Sequence, residues 1–188
     1  MLMVNKMDYK NNVIQEIQTA LNLVNDDDLK TIAEVVVNSN KVLVVGVGRV
    51  LISLKAWVKR WRHLGIDINY VGNETESAIH EGDVLIVGSS SGESIIPVKI
   101  AQLAKKLGIT IIYVGSNLNS TVAKISDYQL RIPCKTKLGL PDEINSFQPM
   151  STLFEQTLYL VGDIISYIIM DKKNLDEEFV KMHHANLE

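Results

Sequence analysis

Four apolar runs in this chain stop at the same dipeptide, Val-Gly. They are KVLVVG (Lys41–Gly46), INYVG (Ile68–Gly72), DVLIVG (Asp83–Gly88) and TIIYVG (Thr110–Gly115). Runs this short, rich in Val and Ile and without polar alternation, suit strands buried on both faces of a parallel sheet. A fifth run, YQLRIP (Tyr128–Pro133), reads as a further strand. Helical segments fall between them. Arg49–Leu64 follows the first run, and Ser94–Leu107 follows the third with an apolar stripe of Ile95, Val98, Leu103, Ala104 and Leu107. Two helical stretches, Asn11–Val24 and Asp27–Asn38, precede the sheet, and Asp26–Asp28 offers capping carboxylates for the second. Alternating strand and helix predicts an α/β fold, a three-layer α-β-α sandwich around a five-stranded parallel sheet. No linker divides the chain, so residues 1–188 are expected to form one domain.

The remaining segments are less regular. Cys134–Met150 has no clear period and holds Gly139, Pro141 and Pro149, so it reads as a long loop of the kind that often carries function. A strongly apolar helix, Ser151–Lys172, follows. Its Leu153, Phe154, Leu158, Val161, Ile164, Ile165, Ile168 and Ile169 cover more than one face, which predicts burial against another subunit as well as the sheet. A short helix ends near Met182 and leads into the tail HHANLE.

Composition excludes several classes of function. The chain is 46% hydrophobic with a net charge of −3, so no bulk attraction to nucleic acid or an anionic membrane is expected. The segment KAWVKRWRH places Trp57 and Trp61 on one helix face and Lys55, Lys59 and Arg62 on another, which reads as a packed helix rather than an RNA contact. Cys134 is the lone cysteine, so no internal disulfide is possible and a reducing, cytoplasmic setting is expected. The start, MLMVNKMDYKNN, is too interrupted for a signal peptide, and TLYLVGDIISYIIM contains Asp163 and is expected to be too short to span a bilayer.

In open α/β sheets, ligands bind beyond the carboxyl ends of the strands. The first such end reads GVGRVL, where glycines let backbone amides approach an anion and Arg49 adds a positive charge. The dinucleotide fingerprint needs glycine at position 51, which is Leu51, so no such cofactor is expected. The third end reads SSSGES (Ser89–Ser94). Its hydroxyls and the free amides at a helix start can cradle a phosphate, or the serines can simply form a turn and an N-cap. No P-loop lysine follows. Glu155, at the start of the apolar helix beside Phe154, is a candidate base. His63, His183 and His184 are candidates for proton transfer between oxygens. Metal-ligand spacing such as H-E-x-x-H is absent, so no metal is expected.

The pattern S-x-S-G-x-[ST] after a buried strand resembles the sugar isomerase (SIS) phosphosugar-binding domain. GVGR, RHLG, SSSGES, QPMSTLFEQT and HHANLE together, spread over nearly the whole chain, resemble 6-phospho-3-hexuloisomerases. The resemblance implies interconversion of 3-hexulose 6-phosphate and fructose 6-phosphate through an enediol, without a cofactor. It implies a homotetramer with sites at subunit contacts and a small-molecule sugar phosphate as the partner. It assigns phosphate binding to Ser89, Ser91 and Ser94 with amides near Gly92, a place in the binding loop to Gly48 and Arg49, and catalytic roles to Glu155, His184 and His63. The tail carrying His184 is expected to reach a neighbouring subunit's site. Val50 and Leu51 stand where the family usually has serine and glycine, and Ser151 where it usually has glycine. Turnover of a different sugar phosphate, or phosphosugar sensing without turnover, are the alternatives this leaves.

Overall fold

The computed structural model describes residues 8–187. The start of MLMVNKMDYKNN and the last residue of HHANLE lie outside the described residues. Helices α1 (Tyr9–Asn22) and α2 (Asp26–Asn38) lead into an alternating series. It runs β1 (Val42–Val45), α3 (Gly48–His63), β2 (Ile68–Tyr70), β3 (Val84–Gly88), α4 (Ile95–Lys106), β4 (Thr110–Gly115), α5 (Thr121–Ile125) and β5 (Tyr128–Arg131). Helices α6 (Thr152–Lys173) and α7 (Glu177–Met182) close the chain. The strands form one parallel sheet in the order β2-β1-β3-β4-β5. All five expected strands are present.

Strand residues alternate between two apolar layers, as a sheet covered on both faces requires. Val42, Val44, Val84, Ile86, Ile112 and Val114 pack with α1, α2, α3 and α6. Leu43, Val45, Leu85, Val87, Ile111 and Tyr113 pack with α4 and α5. The expected three-layer sandwich is therefore the observed one.

Two expectations need correction. The stripe read along α4 faces the core only in part: Ala104 is buried and Val98 packs against the core, but Ile95, Leu103 and Leu107 are 78%, 58% and 53% exposed. The buried residues of α4 are Pro97, Ala101 and Ala104. These small residues at i, i+4 and i+7 let the helix lie close to the sheet, and they turn the larger side chains outward. Helix α6 packs on α1, α2 and α3 within the chain, while its Tyr159 and Tyr167 stay exposed. The expectation that its apolar segment is too short to span a bilayer is the second to need correction. Its 22 residues are long and apolar enough, by length and composition alone, to cross a membrane. Its buried Leu153, Phe154, Leu158, Val161, Ile165 and Ile169 make it a helix of the core.

Helices α3 and α6 pack directly against each other. Trp57 and Trp61, both buried, donate their indole N–H groups to Leu158 O at 2.9 Å and to Ser166 Oγ at 3.0 Å. Ser53 Oγ donates to Glu155 O at 2.9 Å. At Gly162 a Cβ would lie 2.0 Å from Trp57 Nε1, so only glycine lets the indole sit there. Trp57 and Trp61 share a packed face, as the sequence predicts.

Candidate active site

The carboxyl ends of β1 and β3, the loop after β5 and the start of α6 enclose a cavity of about 550 Å³. Gly48, Arg49 and Val50 line it from the first loop, and Ser89, Ser90, Ser91 and Ser94 from the second. Lys135, Thr136 and Lys137 line it from the loop after β5, and Ser151 and Glu155 from α6.

The serine loop is braced from below. Ser116 N–H donates to Ser90 O at 2.9 Å, and Thr121 N–H to Glu93 Oε1 at 2.7 Å. Tyr113 is fully buried and donates its hydroxyl to Ser89 O at 3.0 Å. Burial pushes its pKa up to about 12, so it remains a phenol. Gly92 has φ +66°, and a Cβ there would lie 2.0 Å from Ser120 Oγ. Its N–H donates to Ser89 Oγ and Ser89 O rather than into the cavity. Gly92 therefore shapes the turn and does not line the cavity.

Three helices begin at this cavity, and none has a side-chain cap. Val47, Ser94 and Ser151 occupy the N-cap positions of α3, α4 and α6 without capping hydrogen bonds. Ser94 Oγ instead accepts from Ser89 Oγ at 3.3 Å, which speaks against the plain N-cap reading of that serine. The first-turn N–H groups of a helix carry partial positive charge and favour an anion nearby.

Glu155 is 8% exposed. Arg49 Nε donates to its Oε2 in a short ion pair, and Ser151 Oγ donates to its Oε1 at 3.0 Å. The arginine side chain is 64% exposed, so its far end reaches the open part of the cavity. Val50 is buried against Gly46 and Gly88 and contributes methyl groups to the cavity wall. Glu76 accepts from Gly72 N–H outside the cavity lining.

The profile of the SIS domain matches residues 64–116, which hold β2, β3, the serine loop, α4 and β4. A Bacillus subtilis protein named 3-hexulose-6-phosphate isomerase is 31% identical over 181 residues, covering 96% of this chain and 98% of the relative. The chain belongs to the SIS-domain 3-hexulose-6-phosphate isomerase family. A Mycobacterium gastri protein of the same name is 33% identical, with 88% of this chain and 82% of the relative covered. A solved structure from Methanococcus jannaschii, whose description infers 3-hexulose-6-phosphate isomerase function, superposes with a TM-score of 0.83. It is 26% identical, and the overlap covers 97% of this chain and 100% of that one.

In this SIS domain the expected histidines do not join Glu155. His63 ends α3, fourteen residues beyond Arg49, which is about 21 Å along the helix. His63 is buried and its ring lies 4.8 Å from that of His184, centroid to centroid. His183 stacks on Phe179 at 4.1 Å. One copy of the chain thus holds two separate clusters, with Arg49, Glu155 and the serines at one end of α3 and the histidines at the other.

Inspection of the sequence alone missed Lys135, Lys137 and the two carboxylates that shape their loop. Glu143 accepts from Thr136 N–H at 2.9 Å and from Leu140 N–H at 3.1 Å. Glu16, on α1, accepts from Ser146 Oγ, Phe147 N–H and Gln148 Nε2 at 2.7, 2.9 and 3.0 Å. The available signal was the lysine pair in CKTK, placed directly after a strand. Cys134, just before it, is buried, and burial pushes its thiol up to about 12, so it stays protonated at neutral pH.

Proposed function

We propose that this sugar-phosphate isomerase interconverts 3-hexulose 6-phosphate and fructose 6-phosphate. The observation that carries the reading is the convergence of three uncapped helix starts and five serines on one cavity that also holds a carboxylate. The phosphate sits in the serine loop at the start of α4, held by Ser89, Ser91 and Ser94. Moving the carbonyl from C3 to C2 removes a proton from C2 and returns one to C3 through a C2–C3 enediol. Glu155 performs both transfers from one face. Before binding, both carboxylate oxygens are occupied, by Arg49 and Ser151. Arg49 therefore turns to the substrate oxygen that gains charge, which frees Oε2 to take the proton.

The proton exchange between O2 and O3 falls to a histidine from a second copy. Helix α3 carries Arg49 at one end and His63 at the other, so a two-fold pairing of antiparallel α3 helices brings each end against its opposite. An apolar groove of about 410 Å³ opens beside Glu155, lined by Ile17, Ile52, Tyr159 and Leu160, and offers the surface for that contact. A second reading, isomerisation of another sugar phosphate, draws on Val50, which gives the cavity wall methyl groups instead of a hydroxyl.

The test is a coupled assay. Ribulose 5-phosphate, formaldehyde and a hexulose-phosphate synthase supply the substrate, and fructose 6-phosphate is followed. The expected result is turnover that falls at least ~100-fold in Glu155→Gln. A folded protein that forms no product would overturn the reading. Mixing Glu155→Gln with His63→Ala should restore roughly a quarter of the activity through hybrid oligomers, because half the pairs then hold one intact site. No recovery in hybrids whose assembly is verified would place the histidine's action within one copy.

A further inference from the structure

Lys137 differs from the other cations of the cavity. Arg49 is bound to Glu155, and Lys135 Nζ donates to Ser146 O at 3.3 Å. Among the described residues no hydrogen bond or ion pair engages the Lys137 ammonium, although it lines the cavity together with the serine loop. Its backbone, by contrast, is firmly placed. Thr136 is buried, and its N–H and Oγ1 both donate to the Glu143 carboxylate, at 2.9 and 2.5 Å. Leu138 N–H donates to Thr136 Oγ1 at 3.0 Å, and Cys134 pairs with Ile144 in an isolated parallel bridge. Glu143 thus anchors Thr136, and Lys135, Thr136 and Lys137 all line the cavity.

The charge balance has the sign a phosphomonoester needs. Arg49, Lys135 and Lys137 line the cavity, and among the described residues Glu155 is the lone carboxylate in its lining. A phosphomonoester carries a charge of about −1.5 to −2 at neutral pH. The serines and helix starts supply directed donors, but none of them carries a full charge. An ammonium on an anchored loop, with no acidic partner among the described residues, supplies what they lack.

We propose that Lys137 is a specificity residue that binds the substrate phosphate opposite the serine loop, and that Glu143 is its positioning residue. The inference rests on the phosphosugar reading of the same cavity. Lys137 contacts a group remote from the reacting carbons, so it binds the ground and transition states alike and acts on KM rather than kcat. Lys137→Ala should raise the KM for the sugar phosphate about 10- to 100-fold, the range for a hydrogen bond to a charged group, and leave kcat nearly unchanged. Lys137→Arg should recover most of the loss, since it restores the charge. Glu143→Gln should raise KM by a smaller factor, with kcat retained. Inhibition by inorganic phosphate should weaken in parallel with KM in Lys137→Ala.

A Lys137→Ala protein with KM and phosphate inhibition within about twofold of the unmodified chain would overturn the inference and leave the isomerase reading standing. A loss of kcat at unchanged KM would overturn it as well, by placing the lysine at the reacting atoms. An unmodified protein that neither turns over nor binds any sugar phosphate would remove the underlying reading first, and this proposal with it.

Discussion

Helices α1, α2, α5 and α7 each begin with a side chain that accepts a backbone N–H, from Asp8, Asn25, Ser120 and Asp176. Helices α3, α4 and α6 begin without one, and these three are the helices that start at the cavity. A side-chain cap contributes about 1 kcal/mol, so three helices forgo a stabilisation that the same chain uses four times elsewhere. The difference teaches where the molecule reserves donors for something other than itself. Serine is a preferred cap, yet at these N-cap positions Ser94 Oγ accepts from Ser89 Oγ and Ser151 Oγ donates to Glu155 instead.

The largest effect that tests the contrast is chemical. Glu155→Gln removes the carboxylate around which the uncapped helices gather, and turnover should fall at least ~100-fold while circular dichroism stays unchanged. Next is a substitution that gives a cavity helix the cap it lacks. Val47 is extended (φ −132°, ψ 151°) and 37% exposed, so Val47→Asp can cap α3. Stability should rise by about 1 kcal/mol while the KM for a sugar phosphate rises about 10-fold or more, because the new carboxylate takes the anion's donors and repels it. A stabilised variant with unchanged KM would break the link between missing caps and binding. Asn25→Ala in α2 is the control: it should lose about 1 kcal/mol, a melting shift of roughly 2–4 °C, with KM unaffected.

The smallest effect concerns the loop wall. Burial alone would raise the pKa of Glu16, but hydrogen bonds from Ser146, Gln148 and Phe147, with Lys135 nearby, hold it below its ordinary 4.5. The stability from this depressed pKa is fully present above about 4.5 and is lost as pH falls through the lower folded value. Glu16→Gln should therefore cost about 1 kcal/mol in denaturant titrations at pH 7, and the gap to the unmodified chain should narrow at pH 3. An equal gap at both pH values would show that the ionised form plays no part.

The sheet was legible because its strands are buried on both faces, and each apolar run from Lys41 to Pro133 became a strand within a few residues. The serine loop and Glu155 were legible through their motifs. Helix α5 was not, since Thr121–Ile125 is too short to show a period. The α4 stripe misled in part: it included Ala104, which is buried, but missed Pro97 and Ala101, whose small size carries little hydrophobic signal. Lys137, Glu143 and Glu16 could not be read together. Glu16 meets Ser146 across 130 positions of sequence, a pairing that only the packed chain creates.

The glycine at 162 has one more consequence. It lies seven residues beyond Glu155 on α6, about two turns or 10 Å, and sets how near Trp57 can approach. Arg49 and Glu155 sit on the two helices that this contact holds together. Its thickness therefore acts as a spacer for the charge pair, much as a shim sets the gap between two jaws. Adding a single methyl there, Gly162→Ala, should part the jaws and lower turnover in the coupled assay without touching any group in the cavity.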